Sequence, residues 1–314
     1  MKNLCCYENG PLLSICIPTN GVLEWIRPVL ESIYCQDVST DFFEVLIACN
    51  GDNSTFDDFL FNKMKQYDNL YYKKTNEQGF MNQIACFKMA KGKFVKFLNH
   101  RMMMNEGSIE YLIDFIMANI SNKPTIYYTN GNLKSGGKII TTEFDKYIYN
   151  LGIYSSWSGG IAFWNDEMVK ECFEMNCNAL FPHFCILLYT KNSSRYIVDD
   201  KKIMTEITTD TQKKSRYNFF FAFSIEYLSL LLDLYRKGLI SISTLLDIKS
   251  TLKYWLADQC INFFILRNKT AYDLSGFPKS LLVFFNFKDM TLAILVRLMK
   301  RSFKKFLNIF NWNT

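Results

Sequence analysis

Between residues 12 and 129, short apolar runs alternate with longer amphipathic segments, and few folds tolerate that order. Residues 12–17 read as a strand and 22–34 as a helix. The pattern then repeats: strand 43–49 and helix 56–67, strand 70–74 and helix 80–90, strand 94–98 and helix 108–119. Ser108 is placed to cap the last of these helices, and 125–129 reads as a further strand. A βαβαβαβαβ order predicts an α/β protein with a mostly parallel sheet flanked by helices. Such sheets bind ligands beyond the carboxyl ends of their strands. The loops to watch are therefore 18–21, 50–54, 75–78 and 99–101.

Beyond this alternation the pattern is mixed. Gly136-Gly137 reads as a hairpin turn, 155–164 as a loop entering a strand, and 168–175 and 184–189 as helices. From Tyr217 strand signals cease, and 217–237 and 240–266 read as long helices followed by a 273–280 loop. The expected division is an α/β domain over 1–215 and a helical region over 216–314. The net charge of +6 is carried by the stretch 275–314, which has seven Lys or Arg and one acid, Asp289. A neutral body with a basic tail argues against nucleic acid, whose partners line a groove with cations. It favours a local anionic surface, with a membrane as first candidate. The ten cysteines are scattered and form no C-x-x-C pair, so zinc is not expected and buried free thiols in a reducing cytosol are. No signal-peptide run precedes Tyr7, and no stretch has eighteen uninterrupted apolar residues that would span a bilayer.

Three segments carry the candidate chemistry. "SICIPTN" ends a strand in Pro18, Thr19 and Asn20, a rigid turn with short polar side chains, although Asn20 could simply cap a helix. "EVLIACNGDNST" runs a strand into the tight Asn50-Gly51 turn, with Asp52 beyond. "NEQGFMNQIACFKMAKGKFVKFL" opens a helix at Gly79, places Asn82 on its first turn and stops it at Lys91-Gly92. The ordered set, strand-PTN, strand-NGDNS, then N-x(2)-G-x(2)-N-x(9)-G-K-F-V-K-F-L, resembles family 2 glycosyltransferases of the GT-A fold, well over 12–101 and weakly to 209. The resemblance implies transfer of a sugar from a nucleotide-sugar to a glycan, often lipid-linked, in bacterial surface polysaccharide or O-antigen synthesis. It implies donor contacts from Pro18, Thr19, Asn20, Asn50, Asp52, Asn82, Asn99, His100 and Arg101.

The departures from the family are as informative. Where the family has an acidic D-x-D motif holding Mg²⁺ or Mn²⁺, this chain has Asn99-His100-Arg101. Hard cations want oxygen ligands, mostly carboxylates. Arg101 can instead offer a permanent charge to a diphosphate, with His100 as a further donor. The expectation is no metal site at this turn, no required cofactor, and metal-independent donor binding or a much weaker metal dependence, with Mg²⁺ or Mn²⁺ held by other residues as the disfavoured alternative. Tyr is missing from the usual P-T-Y-N, and Cys49 stands where an acid usually opens the second motif, so Asp52 is the candidate for base or ribose contact.

In "SSWSGGIAFW", Trp157, Ser158, Gly159 and Gly160 match the family's acceptor-side loop, where Trp157 could stack on a sugar or pack in the core. His183 lies near the family's base position and is the candidate general base, with Asp166 and Glu167 as backup carboxylates; the resemblance then implies an inverting transfer, with a retaining one left open if His183 does not reach the acceptor. In the tail, Leu292, Leu295, Val296, Met299, Phe303, Phe306 and Phe310 share a helical stripe, opposite Arg297, Arg301, Lys304, Lys305 and Asn308. This reads as an in-plane membrane helix over 289–310, placing the protein peripherally at the cytoplasmic face of the inner membrane. The missing acids keep a rival open: a catalytically silent nucleotide- or glycan-binding module of a membrane-associated glycan assembly complex.

Overall fold

The computed structural model describes residues 10–175, 177–207 and 216–310, with side chains for all of these except 168 and 304–310. The chain divides into two compact units, Met1–Thr209 and Asp210–Thr314.

The first unit opens with the expected alternation: β1 (Leu13–Thr19), α1 (Leu23–Tyr34), β2 (Phe43–Cys49), α2 (Ser54–Met64), β3 (Leu70–Lys74), α3 (Asn82–Phe87) and β4 (Phe94–Phe97). Strands β3, β2, β1 and β4 lie side by side in that order, all parallel. Both faces of β1 and β2 are buried, which is why their sequences are continuous apolar runs rather than alternating ones. α1 packs Trp25, Ile26, Val29, Leu30 and Ile33 inward, the i, i+3, i+4 and i+7 spacing of a one-sided helix. Two glycines, the buried Gly92 and the half-buried Gly51, are set by close approach. A Cβ on Gly92 would lie 2.8 Å from the Leu13 backbone, and one on Gly51 would lie 1.9 Å from the Asn20 carbonyl oxygen.

After β4 the structure departs from the simple repeat. The three methionines after Arg101 form β5 (Met102–Met104). Then come α4 (Ser108–Asn119), β6 (Thr125–Tyr128), β7 (Lys138–Thr141), α5 (Phe144–Leu151), β8 (Ala162–Trp164), α6 (Glu167–Cys172), α7 (Phe184–Tyr189), β9 (Tyr196–Asp199) and β10 (Met204–Glu206). The edge of the main sheet is β8, antiparallel to β4, and not the expected fifth parallel strand. That strand, β6, instead starts a second sheet ordered β6-β9-β7. Gly136-Gly137 makes no hairpin, because β9 lies between β6 and β7. β5 pairs with β10 in a two-stranded ribbon. Sequence-distant pairing of this kind has no local signature.

The second unit is helical: α8 (Phe219–Phe221) runs through a π-turn into α9 (Tyr227–Arg236), followed by α10 (Ile242–Cys260), α11 (Lys279–Leu282) and α12 (Phe287–Phe310). Asp258 of α10 binds Arg297 and Arg301 of α12, the latter through Nε at 3.1 Å and a second nitrogen at 2.8 Å. These two arginines therefore turn towards α10, while Leu292, Leu295, Met299 and Phe303 are exposed. Val296 is half-buried, and the expected positions Lys304, Lys305, Phe306, Asn308 and Phe310 lie outside the described side chains. Among the described residues, no helix is long and apolar enough to cross a membrane.

Candidate functional site

The parallel strands bring their carboxyl ends to one edge of the main sheet, and the loops that leave them are bonded to each other. The Asn50 amide N–H donates to the Thr19 carbonyl at 3.1 Å, and the Asn50 side chain donates to the carbonyls of Glu77 (2.9 Å) and Gly79 (3.3 Å). Asn53 caps α2 and donates to the Gly21 carbonyl at 2.9 Å, tying the first loop to the second. Pro18 and Asn20 are half-buried beside them, whereas the Asp52 carboxylate is fully exposed, 3.7 Å from the Lys74 ammonium.

Asn82, expected to contact the donor, has a different task. It is buried, donates to the carbonyls of Ala48 (2.8 Å) and Thr19 (3.3 Å), and accepts from the Thr75 hydroxyl (2.7 Å). Its amide is spent stapling three strand ends together, a role invisible without the pairing of β1 and β2.

The turn after β4 lies against the same edge. His100 Nδ1 meets the Thr19 hydroxyl at 2.8 Å, and its ring stands edge-on to Trp25 at 4.9 Å. Burial, reinforced by the neighbouring Arg101 charge, pushes the His100 pKa down to about 3, so the ring is neutral at working pH. Arg101 lies over Trp25 at 5.7 Å and pairs with Glu206 of β10 at 3.1 Å. The Asn99 side-chain oxygen accepts the Arg101 amide N–H at 3.0 Å. These residues do not fit a hard divalent cation. The amide oxygen is occupied by backbone, the imidazole is bound to a hydroxyl, and a guanidinium cannot ligate. Among the described residues, no three His, Cys, Asp or Glu side chains are grouped to hold a metal.

The loop from 152 to 161 forms the neighbouring wall. Trp157 is half-buried against the main core, so its packing role is realised. Gly159 and Gly160 are obligatory for a reason other than ligand approach: a Cβ on Gly159 would lie 2.3 Å from the Trp157 ring, and one on Gly160 would lie 2.0 Å from the Tyr127 ring. Ser158 is half-buried on the first turn of the short 3-10 helix that carries both glycines.

The base candidates fare differently from the expectation. His183 is 1% exposed, and its Nε2–H donates to the Ser155 carbonyl at 3.0 Å. Nδ1 is buried without a hydrogen-bond partner, and burial pushes the ring down to a pKa of about 4. So enclosed, the ring presents no nitrogen to an acceptor; it holds the loop from behind. Asp166 lies at the opposite end of the sheet. It follows β8, which runs antiparallel to β4, and its neighbour Asn165 binds the carbonyls of Ala90 and Gly92 at the amino end of β4. Asp166 caps α6 through the Val169 amide (2.9 Å) and accepts from the Tyr189 hydroxyl (3.1 Å). Glu167 pairs with Lys170 on the same helix, in the solvated manner of a helix start.

Sequence reasoning missed several residues. Glu206 reaches Arg101 across 105 positions, and Tyr127 and Lys96 bind the 152–161 loop from within the core. The buried Asp199-Asp200 pair is consumed structurally. Asp199 accepts from the Tyr111 hydroxyl at 2.6 Å. Burial pushes Asp200 up, yet bonds from Thr129, Ser135 and Leu133 outweigh it and hold the carboxyl below its usual range.

No family model matches the chain, and no curated protein matches it. Solved structures do. A TarS fragment from S. aureus, in complex with UDP-GlcNAc, is similar with a TM-score of 0.56 at 17% identity, over 90% of this chain and 81% of that one. A further structure of the same TarS fragment gives 0.52 at 17% identity, over 90% and 80%. The mannosyltransferase PcManGT from Pyrobaculum calidifontis, in complex with GDP-Man and Mn²⁺, gives 0.51 at 12% identity, over 96% and 88%. The chain thus has the GT-A fold of glycosyltransferases, a mostly parallel sheet flanked by helices.

Proposed function

We propose that this protein is a glycosyltransferase that moves a sugar from a nucleotide-sugar donor to a glycan acceptor. The observation that carries this reading is the joined edge of β1, β2 and β4, where Thr19 binds both the Asn50 loop and His100 and where Arg101 follows directly. Nucleoside recognition falls to the 18–21 and 50–54 loops, with the exposed Asp52 carboxylate as an acceptor for base or ribose donors. The diphosphate falls to Arg101, whose guanidinium offers fixed bidentate charge without a metal. Trp157 and Ser158 border the acceptor side. With His183 enclosed and Asp166 at the opposite sheet end, neither supplies the base that an inverting transfer needs.

The acceptor in this reading is lipid-linked, as in bacterial surface polysaccharide assembly, and α12 lies on the cytoplasmic face of the membrane. Its exposed Leu292, Leu295, Met299 and Phe303 supply an apolar face, and the five lysines of residues 275–314, unlike Arg297 and Arg301 on Asp258, supply attraction to anionic lipid. Flotation with phosphatidylglycerol vesicles should recover the protein, and Met299→Glu with Phe303→Glu should abolish recovery; equal recovery by both proteins would remove the membrane from the proposal.

The deciding experiment is calorimetric titration with UDP, GDP, CDP and dTDP, each in EDTA and in Mn²⁺. Binding of one diphosphate in EDTA supports Arg101 in place of a metal. Binding only in Mn²⁺ rejects metal independence. Binding with no turnover of the matching nucleotide-sugar supports the rival reading, a silent nucleotide- or glycan-binding module, which the lack of a base among the nominated residues favours. No binding at all removes the donor site.

A further inference from the structure

Lys96 is the unusual residue of the first unit. It sits in the middle of β4 and is 0% exposed, although an isolated ammonium is among the costliest groups to bury. Among the described residues no carboxylate pairs with it. Its Nζ donates to the carbonyls of Phe97 (2.7 Å), Gly159 (2.7 Å) and Ile161 (3.3 Å), and lies 5.7 Å from the centre of the Tyr128 ring. An ammonium has three protons, and three carbonyls receive them.

Lys96 does not act alone on this loop. The Tyr127 hydroxyl reaches the carbonyls of Tyr154 (2.6 Å) and Trp157, and His183 takes that of Ser155. Three side chains held in the core thus occupy five carbonyl oxygens between residues 154 and 161. The loop is fastened by its backbone from beneath. Of these three side chains Lys96 is the one that stands on β4, where the Phe97 amide also donates to the Ile161 carbonyl at 3.2 Å; β4 is the strand that delivers Asn99, His100 and Arg101, starting two residues after its end.

We propose that Lys96 is a positioning residue: its ammonium sets the 157–160 loop against the carboxyl end of β4, and so fixes the acceptor wall relative to the donor diphosphate. This rests on the transferase reading above. A buried charge retained without a counter-ion costs stability, and an apolar residue of similar length would remove that cost. A purely structural lysine would be the reverse, with its loss weakening the fold. The groups that titrate around it are Tyr127 and Tyr128 of β6, Tyr154 of the loop, and His183 behind Ser155. Burial raises the tyrosines Tyr128 and Tyr154 and lowers His183 to about 4, so none of these changes charge near neutrality. Burial brings Lys96 itself down to about 7.

The test is Lys96→Met in the full chain. The diphosphate that binds the wild type should bind the variant within about twofold, the thermal midpoint should hold or rise, and release of diphosphate from the matching donor, UDP-GlcNAc or GDP-mannose, should fall at least about tenfold. Wild-type turnover in the variant would overturn the proposal, as would a lowered midpoint with proportionate loss of binding. Amide exchange over 152–161 in the wild type gives a second arm that needs neither substrate nor a folded variant. Above pH of about 7 the neutral amine has one donor fewer, and exchange there should rise faster than the tenfold per pH unit of base catalysis. Plain base-catalysed scaling from pH 6 to 9 would reject the clamp. Failure of the wild type to bind any nucleotide would remove the transferase reading while leaving this arm to decide on Lys96.

Discussion

The two ends of the main sheet are built from the same strands and treat polar groups in opposite ways. At the amino end, Glu44 is 2% exposed and accepts from the Ser14 hydroxyl (2.6 Å) and from the amides of Lys91 (2.6 Å) and Gly92 (3.0 Å). Asn165 closes the same end on the carbonyls of Ala90 and Gly92. Every one of these polar groups is spent on the protein itself. At the carboxyl end, Asn82 is spent in that way, but Asp52 is open to solvent and Arg101 pairs, among the described residues, with one exposed carboxylate, Glu206. A sheet end that only has to close consumes its hydrogen bonds; one that binds leaves some of them exchangeable.

Breaking the closed end should have the largest effect. Glu44→Ala strands the Ser14 hydroxyl proton and the Lys91 amide, leaves the Gly92 amide on the Ser14 oxygen alone, and should cost about 3 kcal/mol of stability in urea unfolding. Diphosphate affinity of the remaining folded protein should be unchanged. At the open end the balance reverses. Arg101→Ala should weaken diphosphate binding in EDTA by about 2 kcal/mol, close to thirtyfold, with little change in unfolding. Retained affinity would move diphosphate recognition away from the turn after β4.

His183 sharpens the contrast through pH. Its pKa is about 4 in the folded protein against about 6.5 when unfolded, so between these values the unfolded chain binds more protons. Stability should therefore fall as pH drops below about 6.5, and this contribution should level off below about 4. The slope approaches about 1.4 kcal/mol per pH unit near pH 5, and His183→Gln should remove close to one proton from the uptake on unfolding at about pH 5 and only about a quarter of one at about pH 7. An unchanged slope would mean that the ring is open to water. The smallest effect should come from Glu206→Gln, which frees Arg101 and should tighten diphosphate binding by about threefold, since exposed ion pairs are weak.

Local pattern was enough to read the βα alternation up to β4. Apolar runs buried on both faces and one-sided helices leave a periodic trace in consecutive residues. The loops that leave the carboxyl ends of β1, β2 and β4 were legible for the same reason, because strand direction assigns them to one edge. Individual roles were less legible. Asn82 and Trp157 were nominated as contacts, and both also hold the frame, since the carbonyls and core that engage them come from other strands. Asp166 was nominated by proximity in sequence to the acceptor loop. The antiparallel run of β8 carries it to the far end of the sheet instead.

By itself, the amino-acid sequence determined the parallel sheet, the candidate donor loops, the absence of acids after β4 and the concentration of charge near the carboxyl terminus. Each depends on residue type and neighbouring positions alone. Tertiary structure decided that His183 is enclosed, that Arg101 is shared with Glu206, that two arginines of α12 face Asp258, and that Lys96 supports the 157–160 loop. The physical reason is common to all four. The charge and hydrogen bonding of a side chain depend on its burial and its partners, and in each of these cases the partner is distant in the chain.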